Sequence, residues 1–363
     1  MKNFYRIFGS IKFTVFLLFL LFFLILFATF AQVDLGIFEA NKKYFTSWIV
    51  WFYTPFFPIP IYLGGFTIGL LLVINLITSH VTNFRFKKNY LGIFFIHFGL
   101  VLMIIGSALT SWLGNEMQIA IKENESKQYL DFPTNYELVL IDVSGLDSDV
   151  VFSLELKDIQ SEELIDSLRL SIHHYYPNAY VNQRGIINKK YDEFGHDFKL
   201  IPLPKTYKMD EKNVPGLDIS FKFNDINLGR YILWGGMEIY QTLVVNDVSY
   251  LMAIRPKRLY LPFSIQLNDF RKQNYELSSV VESYESDVTV INEYGNFDSL
   301  ISMNEPLRFK GFTFFQASFT DDEITSVFQV VKNPSWLVPY VSSLLIVLGL
   351  LIQMVQSMKK GRS

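Results

Sequence analysis

The residues most able to do chemistry in this chain are its five histidines, because cysteine is absent. Without Cys there are no disulfides, no thiolate metal sites and no thiol redox chemistry. One imidazole stands out. His97 lies inside "NYLGIFFIHFGLVLMIIGSALTSW", Asn89 to Trp112, a run composed almost wholly of Phe, Leu, Ile, Gly and Met. An ionisable side chain in such a run is costly; it usually faces protein and often marks function. A neutral imidazole is a natural ligand for haem iron. The plainer alternative is an interhelical hydrogen bond to a Ser, a Thr or a backbone carbonyl.

Gly92, Gly99 and Gly106 recur every seven residues on the same run. A face of small residues admits either a close helix or a flat ligand against the backbone. His80, in "INLITSHVT", is a second candidate imidazole. Counted from the cytoplasmic ends of their runs, His97 and His80 differ in depth by roughly 6–8 Å. Both can then hold one haem only if the helices tilt or the boundaries move. Otherwise His80 is an interfacial residue.

His173 and His174 are adjacent in a strand-like run. Neighbouring strand residues point to opposite faces, which argues against their sharing one metal. His196, in "EFGHDF", reads as a turn residue. No G-x-S-x-G, H-E-x-x-H, P-loop or Gly-rich dinucleotide turn occurs, so the common hydrolase, zincin and nucleotide-binding signatures are missing. The glycines of "GRYILWGGMEIY" sit in a strand-like run, where a bulge or tight bend is the expected use.

The elements that must position these residues follow from hydropathy. Half of the 363 residues are apolar and Phe alone occurs 35 times, a profile of a membrane protein with a substantial soluble part. Four runs reach the length of about 20 residues needed to cross a bilayer. They cover residues 13–32, 61–82, 91–112 and 335–356, with no Asp, Glu, Lys or Arg in any of them. The first has a longer apolar core than a cleaved signal peptide, and no A-x-A site follows it.

The short flanks set the direction. Residues 1–12 carry Lys2, Arg6 and Lys12; residues 83–90 carry Arg85, Lys87 and Lys88; residues 357–363 carry Lys359, Lys360 and Arg362. None of these flanks holds an acidic residue. The rest of the chain keeps 23 of the 32 basic residues against 35 acidic ones, a net charge of −12. The positive-inside rule then places both termini in the cytoplasm and residues 113–334 outside, in a multi-pass protein of the inner (cytoplasmic) membrane. Residues 33–60 form an outer loop dense in Trp, Tyr, Phe and Pro, either an interfacial segment or an aromatic lip over a cavity.

Residues 113–334 read as β-rich. Runs such as "YELVLIDV", "LDISFKF", "SDVTVI" and "TSVFQVV" alternate or carry β-branched residues, with Asn, Asp, Gly and Pro between them. "SEELIDSL" has helical spacing, with Ser161 as its N-cap. The fold class is therefore an integral membrane protein, with four transmembrane α-helices and one large β-rich extracytoplasmic domain, packed as a sandwich or an open barrel.

This layout resembles the ResB family of cytochrome c biogenesis proteins, the System II pathway. "GSIKFTVFLLFLLFFLILFATFAQ" is similar to the family's first span, and "NYLGIFFIHFGLVLMIIGSALTSWLG" to its third, histidine included. "LPFSIQLNDFRKQNYE" with "SYESDVTV" resembles its mid-domain strands. "EPLRFKGFTFFQASF" and "VVKNPSWLVPYVSSLLIVLGLLIQ" resemble its closing strand and last span. The exit of the first span, "FATFAQ", departs from the family's commoner Gly-Thr-x-x-Pro-Gln.

The resemblance implies a subunit of a cytochrome c synthase (haem lyase) that helps carry haem b across the membrane for covalent attachment to apocytochrome c. The family's membrane histidine maps onto His97, which would be an axial ligand of the iron, with the second ligand from a partner. That partner is a CcsA/ResC-like multi-span protein with a Trp-rich haem-binding segment, which the five Trp of this chain do not form. A thioredoxin-like thiol-disulfide protein would keep the apocytochrome reduced, and no nucleic acid is implied. The chain would itself be non-catalytic. Two other classes stay open: a membrane-anchored scaffold whose β domain recruits an envelope partner, and a haem electron carrier. The carrier usually needs about four membrane histidines, and only His80 and His97 are available.

Overall fold

The computed structural model describes residues 2–84, 90–145, 149–159, 162–165, 168–206, 212–237, 239–275 and 280–360. The chain divides into two compact units: a helical one from residues 1–115 and 332–363, and a β-rich one from most of 116–331.

The helical unit starts with α1 (Lys2–Phe8) and α2 (Ile11–Ala40). Ser10 caps α2 by accepting a hydrogen bond from the Phe13 amide, which satisfies one of the orphan donors at a helix start. Gly36 interrupts α2 with φ 69° and ψ 168°, a backbone that only glycine adopts cheaply. A π-helical turn, Asn41–Phe45, and a hairpin of β1 (Ile49–Tyr53) and β2 (Pro58–Leu63) follow. The first helix therefore runs well past Gln32, and the stretch read as an aromatic loop is ordered. Next come α3 (Gly65–Ser79), a second π-helical turn (His80–Phe84) and α4 (Leu91–Leu113). The apolar run before Gly65 is strand β2, because two prolines and the pairing of Trp51 with Pro60 hold it extended. The β-rich unit carries a short helix, α5 (Phe194–Asp197), and α6 (Val338–Lys360) follows that unit. Among the described residues four helical stretches, residues 11–45, 65–82, 91–113 and 338–358, are long and apolar enough to cross a membrane. The basic residues between α3 and α4 lie outside the described residues.

Helix α4 packs on α6 along its glycines, and Gly92, Gly99 and Gly106 are all buried. A Cβ on Gly92 would stand 2.7 Å from the Gln353 amide nitrogen. One on Gly99 would stand 2.9 Å from the Ser342 carbonyl oxygen. The absence of side chains is what lets the two backbones approach. At the end of this pair the Thr110 and Ser335 hydroxyls are 2.8 Å apart. Helices α2 and α3 are joined by Asn75, 1% exposed, which donates to the Phe8 carbonyl and accepts from Thr14 at 2.8 Å.

The β-rich unit follows the alternation of its sequence. Its strands are β3 (Asn115–Lys122), β4 (Ser126–Asp142), β5 (Asp149–Glu155), β6 (Glu162–Ile165), β7 (Leu168–Tyr176), β8 (Ala179–Gln183) and β9 (Phe198–Pro202). Then come β10 (Gly216–Phe223), β11 (Ile226–Trp234), β12 (Gln241–Val245), β13 (Val248–Asn274), β14 (Val281–Ile291), β15 (Phe297–Ser302), β16 (Leu307–Phe309), β17 (Phe312–Phe319) and β18 (Thr325–Lys332). The main sheet has the order β15-β14-β13-β4-β3-β18-β17-β16, with β12 added to β13 and β5 to β4. A smaller sheet runs β11-β10-β7-β6, and β8 pairs with β9.

Two large cores among the described residues hold this unit, beside a small cluster of Val139, Ile141 and Ala253. In one, Leu138 and Leu140 of β4 and Met252 and Ile254 of β13 meet Leu170, Leu217, Ile219, Phe221 and Leu233 of the smaller sheet, a sheet-on-sheet contact. In the other, Ile301 of β15 and Phe312 and Phe314 of β17 join one cluster although they lie toward opposite ends of the sheet order. The main sheet therefore curls over its own apolar face. The stretch read as a helix, "SEELIDSL", instead contains β6, paired with β7. The proposed Ser161 cap lies outside the described residues. The segment pairs with the strand that follows it directly, Ile165 opposite Leu168, and this cross-strand pairing outweighs the weak helical spacing.

Candidate functional site

Antiparallel register brings His80 and His97 together. The Phe66 ring at the start of α3 meets the Trp112 ring at the end of α4, with centroids 5.3 Å apart. From Phe66 to His80 the helix advances roughly 21 Å, and from Trp112 back to His97 roughly 22 Å. The two imidazoles therefore arrive at one level. Their centroids are 5.8 Å apart and their planes are inclined at 78°. The expected depth offset is corrected: helical turns continue past Thr82 to Phe84, so His80 lies deeper in its helix than the hydropathy boundary suggested. His80 is buried against its neighbours, with only 7% of it exposed. It starts the π-helical turn, a local unwinding that recurs at functional sites.

The two rings differ in access. His80 is packed against Phe94, whose ring is 5.3 Å away, and Phe94 stacks on Phe98 at 5.9 Å. His97 is only partly buried. The glycine stripe of α4 is not a seat for a flat ligand, because α6 already fills it.

These positions test the fit to haem. A metal–imidazole nitrogen bond is about 2 Å, so two rings bound axially to one iron have centroids about 6 Å apart. The observed 5.8 Å matches that spacing. A porphyrin between the rings, however, would also need a flat slot beside His80, and the close packing of Phe94 and the burial of His80 fill that space. His97, the more exposed of the two imidazoles, is the one that would be offered to an iron, with His80 beside it.

The other histidines lie on β7 and α5. A register shift at His173 pairs His174 with Asp218 and Ile172 with Ile219. This bulge places both imidazoles on one face, contrary to the opposite-face expectation. His173 Nε2 is 2.9 Å from Ser220 Oγ, and His174 Nδ1 is 3.5 Å from Asp218 Oδ2. The Asp218 carboxylate is already engaged. Arg230 donates to both its oxygens at 2.7 Å, and the Tyr191 hydroxyl donates at 3.0 Å. The Arg184 and Arg230 guanidinium groups each lie 4.9 Å from the Tyr191 ring. Burial pushes the Asp218 carboxyl up, but the Arg230 fork overrides it and holds the group below the usual carboxylate range. Burial, aided by Arg230, pushes the His173 imidazole down. The network reads as a structural clamp on β7, β10 and β11. Sequence spacing gave no signal for it, because Arg184, Tyr191, Asp218 and Arg230 meet only through strand pairing. Among the described residues no three His, Asp or Glu side chains are placed to hold a metal ion.

Comparison with known proteins adds a relationship to this geometry. Residues 240–327, from the segment before β12 into β18, match the model of the ResB-like family. Over 330 residues the chain is 25% identical to Protein NrfI of Wolinella succinogenes, which covers 89% of this chain and 32% of that protein. The chain thus spans about a third of the length of this curated relative. The matched segment and the relative both agree with the sequence resemblance to the ResB family.

Proposed function

We propose that this ResB-like chain is a non-catalytic subunit of a System II cytochrome c synthase. It helps to carry haem b across the inner membrane and to present it for attachment to apocytochrome c. In this reading the four apolar helices cross the membrane, both termini are cytoplasmic and the β-rich unit is extracytoplasmic. The observation that carries the proposal is the meeting of His80 and His97 on two different helices, at 5.8 Å, in a chain with a ResB-like segment.

Haem is cargo here. His97 supplies an imidazole to its iron, and His80 fixes the position of the His97 ring from behind. Partners that orient a ligating imidazole set its tautomer and basicity. The second axial ligand comes from a CcsA/ResC-like partner with a Trp-rich segment. The β-rich unit recruits that partner, the apocytochrome or a thioredoxin-like protein. Thioether formation requires correct placement of the reacting groups, which binding supplies without a protein nucleophile on this chain.

The test is the absorption spectrum of the detergent-purified chain co-expressed with such a partner. Wild type is expected to carry a Soret band that His97→Ala abolishes and His80→Ala shifts while retaining haem. Loss of the band in both variants alike would make the two rings a joint clamp. An unchanged spectrum in His97→Ala would refute the role of His97. Intact complex assembly with no haem in any preparation would favour the scaffold reading.

A further inference from the structure

The β1–β2 hairpin is the largest feature of the helical unit that the proposed function leaves unused. Its base is built in. Val50 is fully buried in one cluster with Leu24 of α2 and Ile68 of α3. The Tyr62 hydroxyl donates to the Leu20 carbonyl at 3.0 Å, and the Trp48 carbonyl accepts from the Gly64 amide at 2.9 Å. The rest of the hairpin is bare and apolar: Tyr53 is 76% exposed, Phe56 91% and Phe57 61%, with Trp48 and Trp51 also exposed. A patch of this kind on a small unit marks an interaction surface.

Three observations say what covers it. First, no Asp, Glu, Lys or Arg occurs from Tyr44 to Phe84, whereas Lys42 and Lys43 stand immediately before that stretch. Aromatic rings next to lysines suit the layer where acyl chains give way to phosphates. Second, the hairpin directly precedes α3. From Gly65 to Phe84 the helix and its π-turn extend roughly 30 Å, the thickness of the hydrocarbon, which puts the hairpin base at its outer limit. Third, Pro58 and Pro60 leave β2 without amide donors at two positions, which blunts that edge against another strand. An open two-stranded sheet cannot sit in the hydrocarbon itself, where its edge groups go unsatisfied. In the headgroup layer water satisfies them.

We propose that this hairpin is a membrane-surface anchor that lies in the phospholipid headgroup layer of the outer leaflet, with its rings among the upper acyl chains and Lys42 and Lys43 at the phosphates. It fixes the level of α2 and α3 in the bilayer. The proposal rests on the spanning arrangement given above.

The absence of native cysteine allows a clean test. A nitroxide is placed at Phe56→Cys, and separately at Tyr53→Cys, in the full chain held in polymer discs cut from the expressing membrane, so that protein neighbours are retained. A third label at Leu344→Cys, on the exposed face of α6, reports the spanning reading alone. The expected result is that collisions with oxygen exceed those with a water-soluble nickel chelate at residues 53 and 56, at a depth just below the phosphates. Shielding from both reagents would mean that a protein covers the hairpin and would overturn the proposal. Collisions dominated by the nickel chelate would mean exposure to bulk water and would also overturn it. An oxygen-accessible Leu344→Cys label in either failure leaves the spanning reading intact. As a second measurement, single-Trp51 chain in phosphatidylcholine–phosphatidylglycerol vesicles should lose emission when the lipids are brominated just below the headgroup. Equal emission in brominated and plain lipid would count against the anchor.

Discussion

Replacing Gly99 by Ala should loosen α4 from α6 more than the same change at Gly106. The added Cβ of residue 99 would lie 2.7 Å from Ile346 Cγ1 and 2.9 Å from the Ser342 carbonyl oxygen. Ordinary carbon contacts are about 3.5–4.0 Å. The Ile346 side chain can turn aside, but the Ser342 carbonyl belongs to the helix backbone and cannot move alone. The two helices must therefore separate by a sizeable fraction of an ångström. Overpacking of this kind costs about 1–3 kcal/mol. At Gly106 the atoms met are Cγ1 and, at 3.0 Å, Cβ of Val338, the first residue of α6; rotation moves Cγ1 aside and a small shift of that helix end relieves Cβ, so the cost falls toward the lower end. Gly92→Ala meets the Gln353 amide nitrogen at 2.7 Å and should resemble Gly99→Ala. The assay uses the Cys-free background. Thr110→Cys and Ser335→Cys, whose native hydroxyls are 2.8 Å apart, form a disulfide while the helices stay packed. The denaturing-detergent concentration that halves the cross-linking rate is then measured for each glycine variant. The expected order of sensitivity is Gly92→Ala and Gly99→Ala first, Gly106→Ala next, wild type last. A Gly99→Ala chain as resistant as wild type would refute the packing of α4 on α6, and a more sensitive Gly106→Ala would refute the distinction between backbone and side-chain contact.

Other perturbations give separate readouts. Arg230→Met should destabilise the β-rich unit by about 3–5 kcal/mol, because Asp218 is left buried without its cation; denaturant unfolding followed by Trp234 fluorescence measures it, and a change under 1 kcal/mol would contradict the clamp. The depressed pKa of His173 means that the unfolded chain binds the proton more readily. Its effect is therefore a loss of stability as pH falls below the usual histidine value of about 6.5. Thermal melts should show a flatter acid limb in His173→Asn than in wild type between neutral pH and pH of about 5, whereas identical limbs would exclude this titration as the cause. Asp322 is held down to about 2 by hydrogen bonds from Thr320 and Thr325. The stability it adds is present above the ordinary carboxylate range and is lost as pH falls toward about 2, so Asp322→Asn should abolish that part of the acid transition. Asn75→Leu removes the bonds that tie α3 to Phe8 and Thr14 and should cost about 1–2 kcal/mol, read as easier proteolysis of the link at Gly9 and Ser10.

Hydrophobic length and alternation are local properties, and the sequence by itself determined what depends on them. Four apolar runs specified four helices, because about 20 apolar residues have few other stable uses. Alternation in "SDVTVI" and "TSVFQVV" specified strands of the β-rich unit, whose buried residues do fall on every second position. His97 was legible as an anomaly, because an imidazole in an apolar helix needs a reason. The tertiary structure decided everything that depends on register between distant segments. Periodicity could offer the glycine stripe of α4 to a helix or to a flat ligand, and only the position of α6 assigned it to a helix. Depth counting from hydropathy boundaries separated His80 from His97, but the π-helical turn and the antiparallel pairing of α3 with α4 bring them to 5.8 Å. One extra residue at His173 turned two opposed imidazoles onto one face. In the region of "SEELIDSL" cross-strand pairing with β7, the strand that follows it directly, set the conformation against the helical spacing. A window of sequence encodes its own period and length, whereas offsets between segments are fixed by side chains that meet only after folding.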